Sequence, residues 1–380
     1  MNTINENKID KILNISFNQD NSCFSIGLEN GFMIYETHPI KNQYKRSMDG
    51  GIKQAEMLYR TNLLALIGGG DLPKFNPKKL VLWDDYQNKM VSEIKFFSSL
   101  KNVKLKKDKI FAICDKNIYV FDLKTLENLE IISTKENPKG LFGINNDDNK
   151  TIIAYLEKND KDNKEDINKH YITIKNYNKD NSIKILAQED TISYISLNYD
   201  GSLLATSNEK GTLIKIHNCI NGNLLGQFYR GKEKAEINYI CFDKLSNFLA
   251  VTSDRGTVHI WSMGGVLEKL EKEDIINKNN EINNDKKDEE KNENKINEER
   301  DTIKGENLPR NKKVMFGQNE KSFAQIRINS NKSICSFQNN NIIVVVSYDG
   351  TYYKAQLDTK VGGSCKIIFQ DSLNNLKQEN

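Results

Sequence analysis

At the end of one alternating apolar run stand Phe228, Tyr229, Arg230 and Gly231. Placed between a strand and a glycine, the Arg230 guanidinium can lie at a sheet edge and offer a planar fork of donors to a phosphate. The same placement also describes an ordinary solvated surface arginine. Further along, Thr252, Ser253, Thr257 and His259 supply hydroxyls and an imidazole. Neutral donors beside one arginine suit a dianionic phosphomonoester, and a protonated His259 would strengthen binding at mildly acid pH. Upstream, Ser207, Asn208, Thr212 and Lys215 form a similar set, with an ammonium point charge that is less geometrically selective than a guanidinium. Serine, threonine and histidine also cap turns and link strands. Residue types alone therefore leave a binding role and a structural role open at each position.

Other chemistries find no support. Gly68 to Gly70 lack a following G-K-[ST], so they make no phosphate loop, and a tight connection explains them. The histidines (His38, His170, His217, His259) have no metal-ligand spacing, and none lies in a nucleophile motif. No enzyme and no cofactor is implied. Six cysteines (Cys23, Cys114, Cys219, Cys241, Cys335, Cys365) form no C-x-x-C pair and read as buried thiols of a reducing compartment. Trp83 and Trp261 end strands and read as packing. A net charge of +3 from 55 basic and 52 acidic residues is far from the basic excess of a nucleic-acid binder, so any anion site must be local. The N-terminus, MNTINENKID, is too polar to be the core of a secretory signal, which gives a cytoplasmic expectation. The longest apolar run, Ile342 to Val346, is far short of the roughly 18 residues of a spanning helix, so a membrane would be met from outside.

The elements that must position these groups are strands. Short β-branched and aromatic segments closed by Asn, Asp or Gly recur along the chain, and helical periodicity is scarce. Ile192 to Asn218 and Ile237 to Met263 share one pattern: strand, turn, L-A-(V)-T-S, charged turn, G-T, alternating strand. A weaker copy runs from Ser333 to Leu357. A period of roughly 40 to 45 residues with four strands is that of a propeller blade. The expected fold is an all-β, seven-bladed propeller forming a single domain over residues 12–370. Its blades are expected near 12–48, 53–90, 93–130, 137–186, 187–226, 235–328 and 333–370. Two insertions interrupt it. Residues 157–169 form a charged loop in blade four. Residues 264–320, rich in Asn, Lys, Glu and Asp, form a largely disordered loop between the last two strands of blade six.

Several strings resemble the PROPPIN family: FNQDNSCFSIGLENGFMIYE, EMLYRTNLLALIGGGDLPKFNPKKLVLWDD, NPKGL, LATSNEKGTLIKI, FYRG and SDRGTVHIW. The resemblance runs from about residue 12 to 370, apart from the insertions. It implies a peripheral membrane scaffold that binds phosphatidylinositol 3-phosphate and phosphatidylinositol 3,5-bisphosphate at two rim sites in blades five and six. Those sites share the arginine pair of an (F/L)RRG motif. Here the motif reads Phe228, Tyr229, Arg230, Gly231, with one arginine missing. Under the resemblance, Arg230, Gly231, Thr252, Ser253, Thr257 and His259 form the blade-six site. Tyr229, Ser207, Asn208, Thr212 and Lys215 form a weaker blade-five site, in which Lys215 stands where arginine is usual and Gln188 where histidine is common. It also implies a role in autophagy or related membrane traffic, on autophagosomal precursor, endosome, vacuole or plastid membranes. The implied partner is the large lipid-transfer protein of autophagy, whose contact has a counterpart at Asp20, although a turn role suits that carboxylate as well. A propeller that binds only proteins is the alternative, since fold does not fix function.

Three expectations follow. Residues 364–370 should complete blade seven, so that residues 12–17 need not cross over to close the ring. One end of the blade-six loop should touch the bilayer: either its start, where Val266, Leu267 and Leu270 share a helical face, or, as favoured, its finish, where basic residues precede Val314, Met315 and Phe316. The two lipid sites should be unequal, with blade six the stronger.

Overall fold

The computed structural model describes residues 11–158, 170–273, 275, 321–339 and 341–376. Its strands form seven sheets, five of them four-stranded meanders of strands consecutive in sequence, while the short strand Gly363–Ser364 leaves the last sheet to join the sixth. The sheets span Ile12–Ser47, Ile52–Lys95, Asn102–Ser133, Gly143–Gln188, Ile192–Tyr229, Ile237–Arg327 and Ser333–Ser372. The seven-bladed architecture read from the repeats is therefore present. Several boundaries differ from expectation: the outer strands of blades three, four, five and seven run on to Ser133, Gln188, Tyr229 and Ser372, past the expected 130, 186, 226 and 370. Lys89–Lys95 is the outer strand of blade two, so residues 93–95 do not open blade three, which starts at Asn102. The sequence KMVSEIK lacks the apolar alternation of an outer strand, which hid its full length.

The second strand of a blade, such as Cys23–Leu28, Leu203–Asn208 or Phe248–Ser253, is buried at every position. Neighbouring blades cover both of its faces, so its sequence reads as a nearly continuous apolar run. Outer strands such as Lys89–Lys95 are mostly exposed. Among the described residues the core divides into clusters that each lie in one seam between adjacent blades. One joins blades five and six through Ile214, Phe228, Val251 and Trp261, and the next joins six and seven through Val258, Ile260, Val345 and Tyr353. Burial at seams, and not within single sheets, holds the ring together.

Ring closure uses no exchanged strand. Ile12–Phe17 pairs with Cys23–Leu28 in blade one, and Lys366–Ser372 completes blade seven beside Thr351–Gln356, as the sequence suggested. Side chains close the seam between blades one and seven. Tyr352 donates to Thr37 O (2.8 Å), Tyr35 to Leu373 O (3.3 Å) and Tyr348 to Asn14 Oδ1 (3.2 Å), over a cluster containing Phe24, Ile26, Val344 and Tyr352.

First strands line an axial cavity of about 700 Å³. Glu56 is buried beside it, accepting from Lys104 Nζ (3.0 Å) and Ser16 Oγ (2.9 Å). Cys241 and Cys335 meet across the six–seven seam with their sulfurs 3.6 Å apart, and all six cysteines are free.

The third strand of blade six, Thr257–Ser262, pairs with Ala324–Arg327, so residues 264–320 do enter between the last two strands of that blade. The start of the insertion is helical over 264–273. Val266 is buried in the five–six cluster with Leu267 and Leu270 packed against it, and Lys269 donates to Leu225 O (2.9 Å). The apolar face of this helix is therefore spent on blade five and is not free to enter a bilayer, which rules out the start of the loop as the inserting end. Val314, Met315 and Phe316, and residues 159–169 of the blade-four loop, lie outside the described residues.

Candidate anion-binding site at the seam of blades five and six

Registers fix which residues share a face. In blade five Lys215 pairs with Thr206 and Gln227, and in blade six His259 pairs with Val251 and Gln325. Lys215 and His259 are thus equivalent positions one blade apart. Side chains alternate along a strand. Phe228 turns toward blade six and stacks on Trp261 (centroids 5.7 Å apart, 27°), so Tyr229 turns toward blade four and Arg230 again toward blade six.

Arg230 is half-buried where the outer strand of blade five ends. Its backbone N–H donates to Thr212 O (2.8 Å), its Nε to Gly211 O (2.6 Å), and an Nη to Glu233 O. Burial and the neighbouring Arg255 hold its pKa below the ordinary arginine value, although the group stays charged. Gly231 follows with nothing crowding the place of a Cβ. His259 lies on the blade-six side of this seam, near enough for the Arg230 charge to act on its ring. Its ring stacks on Trp261 (5.7 Å, 24°), and its Nδ1 shares a hydrogen bond with Ser322 Oγ (3.2 Å), which also accepts from Gln325 Nε2 (2.8 Å). Burial first, and the Arg230 charge second, push the imidazole pKa down to about 4. The imidazole is therefore neutral at mildly acid pH, and the protonated form that would strengthen anion binding is reached only nearer pH 4.

The remaining candidates divide by face. Ser253 lies on the His259 side, buried, and accepts from Arg255 N (3.4 Å). Thr257 is partly buried at the start of the same strand as His259. Thr252 points the other way, donating to Ser333 O of blade seven (2.6 Å), so its hydroxyl is not part of the Arg230 pocket. Ser207 is the equivalent residue in blade five. It is fully buried against Ser193 Oγ (2.9 Å), facing away from Lys215. On the four–five seam, Lys215 lies 3.8 Å from Glu189 Oε1, and Asn208 donates to Asp190 Oδ2 (3.4 Å) while holding the turn through Gly211 N (3.1 Å). Gln188 is buried against Thr206, to whose Oγ1 it donates (2.9 Å). Thr212 presents its carbonyl to Arg230 N. Asp20 accepts from Ser22 N and Oγ (3.0 and 2.6 Å), a turn-forming role.

The PROPPIN family model matches residues 12–374. The chain belongs to the PROPPIN family. Among curated relatives, "Autophagy-related protein 18e" of Arabidopsis thaliana is 32% identical over 93% of this chain and 85% of its own length. "SVP1-like protein 2" of Saccharomyces cerevisiae is 32% identical over 68% of this chain and 64% of its own. Of solved structures, Kluyveromyces lactis Hsv2 superposes with a TM-score of 0.70 at 20% identity, covering 96% of this chain and 99% of that one. KlAtg21, solved in complex with the coiled coil of AgAtg16, gives 0.70 at 21%, covering 96% and 99%.

This PROPPIN's site contains residues that sequence reasoning passed over. Arg255 approaches Arg230 from the blade-six turn, its Nη2 bonded to Lys234 O (2.6 Å). Its position within SDRG was a legible signal. Ser322 and Gln325 reach His259 only because the chain returns after the long insertion, and nothing local marked them.

The two low histidine pKa values carry a stability prediction. His217, buried on the four–five seam, is also held at about 4, by burial and then by Lys215. Both groups bind a proton more readily unfolded, near 6.5. Their contribution is thus complete above pH 6.5 and lost as pH falls from 6.5 toward 4. Melting temperature should drop across that window, and His217→Gln with His259→Gln should flatten the profile there. An unaltered slope in the double variant would refute the assignment.

Proposed function

We propose that this PROPPIN is a non-enzymatic peripheral membrane scaffold reading phosphatidylinositol 3-phosphate and phosphatidylinositol 3,5-bisphosphate, recruiting autophagy or related membrane-traffic machinery. The observation that carries this reading is the meeting of Arg230 and His259 in one seam. Among the described residues the guanidinium makes its hydrogen bonds to backbone carbonyls, with the Asp254 and Glu233 carboxylates acting on it through space, so its charge is open to an arriving phosphate. Ser253, Thr257 and Gly231 border that charge. Among the described residues no helix is long and apolar enough to cross a membrane. Val314 to Phe316 remain the segment proposed to enter the bilayer, and the lipid-transfer protein of autophagy the proposed partner. Flotation with liposomes carrying single phosphoinositides tests the reading. Selective retention by 3-phosphorylated lipids supports it, and equal binding to all anionic vesicles, or none, defeats it.

A propeller binding only proteins is the second reading, favoured by the KlAtg21 complex with a coiled coil. It predicts no headgroup selectivity.

The two seams should contribute unequally. Lys215 already faces Glu189, and Tyr229 brings no charge to the four–five side. Lys215→Ala is expected to weaken vesicle binding only about threefold, whereas Tyr229→Arg, adding a charged donor there, should strengthen it. Titration of matched vesicles compares them. Were Lys215→Ala as damaging as Arg230→Ala, the sites would be equivalent.

A further inference from the structure

Beyond the headgroup pocket, the outer margin of blade six carries a feature that the repeats did not suggest. Blade six has a fifth strand. After the third strand of blade seven, residues 358–363 swing across to it, and Gly363–Ser364 pairs in parallel with Ala324–Arg327. Gly363 N donates to Phe323 O (2.8 Å) and Cys365 N to Gln325 O (2.9 Å), which pins the excursion at both sides. The tip is itself folded. Asp358 Oδ1 accepts from Lys360 N and Val361 N (both 2.9 Å), Gly362 N donates to Asp358 O (3.0 Å), and Gly362 and Gly363 take positive φ (71° and 84°) that favours glycine. This rigid turn presents Val361, 80% exposed, to solvent. Beyond it the last strand of blade seven leaves Ile367 and Ile368 exposed after Lys366.

The position matters because of register. His259 pairs with Gln325, and Gln325 with Ser364, so the imidazole and the base of the tip lie in one row across three strands. At roughly 4.8 Å per strand, Ser364 is about 10 Å outward from His259. A flat anionic surface whose headgroup enters the Arg230–His259 seam would approach the same blade edge. Asp358 is tied back into the turn through Oδ1, and its single negative charge is outnumbered by Lys360 and Lys366, which flank the apolar groups. Basic side chains beside a small exposed apolar cluster match an anionic bilayer.

We propose that the 358–363 turn, through Val361 with Lys360 and Lys366, is a rigid membrane anchor on the edge of blade six. It acts beside the headgroup site and separately from the long insertion, and its orientation argument rests on the proposed lipid-reading function. It holds Val361 in place before contact, so docking orders little additional chain.

The test uses the full chain with phosphatidylcholine and phosphatidylserine vesicles containing phosphatidylinositol 3-phosphate, and separately with soluble inositol 1,3-bisphosphate. Val361→Asp is expected to weaken vesicle binding about tenfold while leaving inositol bisphosphate affinity and melting temperature unchanged. In Val361→Trp, emission of the new indole should shift to the blue on adding vesicles and not on adding inositol bisphosphate. Unchanged vesicle affinity in Val361→Asp, or no spectral shift in Val361→Trp, overturns the proposal. So does a spectral change that follows protein concentration without vesicles, which would assign the tip to a second copy of the chain. If wild type ignores the 3-phosphate headgroup yet Val361→Trp still reports insertion, the lipid-reading function fails and the anchor stands.

Discussion

Replacing Arg230 with alanine is expected to weaken binding to vesicles bearing phosphatidylinositol 3-phosphate by about a hundredfold, because two charge-assisted hydrogen bonds contribute roughly 3 kcal/mol or more together. Under the proposed function the loss should appear equally with the soluble headgroup, since the guanidinium would act on phosphate and not on the bilayer. Stability should change far less. The guanidinium holds Gly211 O and Glu233 O at the surface end of the strand, where water can replace it. Arg230→Lys should recover only part of the affinity, because an ammonium cannot reproduce the planar fork. Calorimetric titration beside thermal melts separates the two quantities. A variant that binds normally would remove Arg230 from the site, and one that unfolds would show its carbonyl contacts to be its main role.

Trp261→Ala should instead lower stability together with binding. This side chain is 1% exposed, fills the five–six cluster, and stacks on both Phe228 and His259. Truncating a buried tryptophan costs about 3–5 kcal/mol through lost burial and the cavity left behind. Denaturant unfolding should shift accordingly, with binding falling because both stacked neighbours lose their support. Trp83→Ala, at a partly buried position, should cost less. A Trp261→Ala protein as stable as wild type would mean that the seam collapses to fill the gap.

The fold was largely legible because a propeller repeats its own local rules. Each blade announces itself through a buried second strand and a turn such as the charged turn before Gly256, and the spacing of the copies fixed the ring. What failed was the weakly patterned outer strand Lys89–Lys95, whose side chains pack on little and so carry little signal. At the site, the alternation of Phe228, Tyr229 and Arg230 was readable from strand geometry alone. The opposite facing of Thr252 and Ser207 was readable in principle from the same alternation, but hydroxyls beside a motif drew them into the pocket. The low pKa of His259 was not readable, because it depends on burial under Trp261 and on a charge from the neighbouring blade. Ser322 and Gln325 follow a long insertion whose length says nothing about where the chain returns.

Closing the ring through side chains in place of a shared strand also shapes the order in which the molecule can assemble. Apart from the short Gly363–Ser364 strand added late to blade six, every sheet is local, so during synthesis blades one to six can each form as their residues emerge and dock on the one before. The flank of blade one carrying Phe24, Ile26, Leu28, Met33 and Tyr35 finds its cover only when Tyr352 and Leu373 arrive, more than 300 residues later. Until then an apolar flank at the start of the chain stays open to water and to neighbouring nascent chains. Such late closure invites misassociation and chaperone protection.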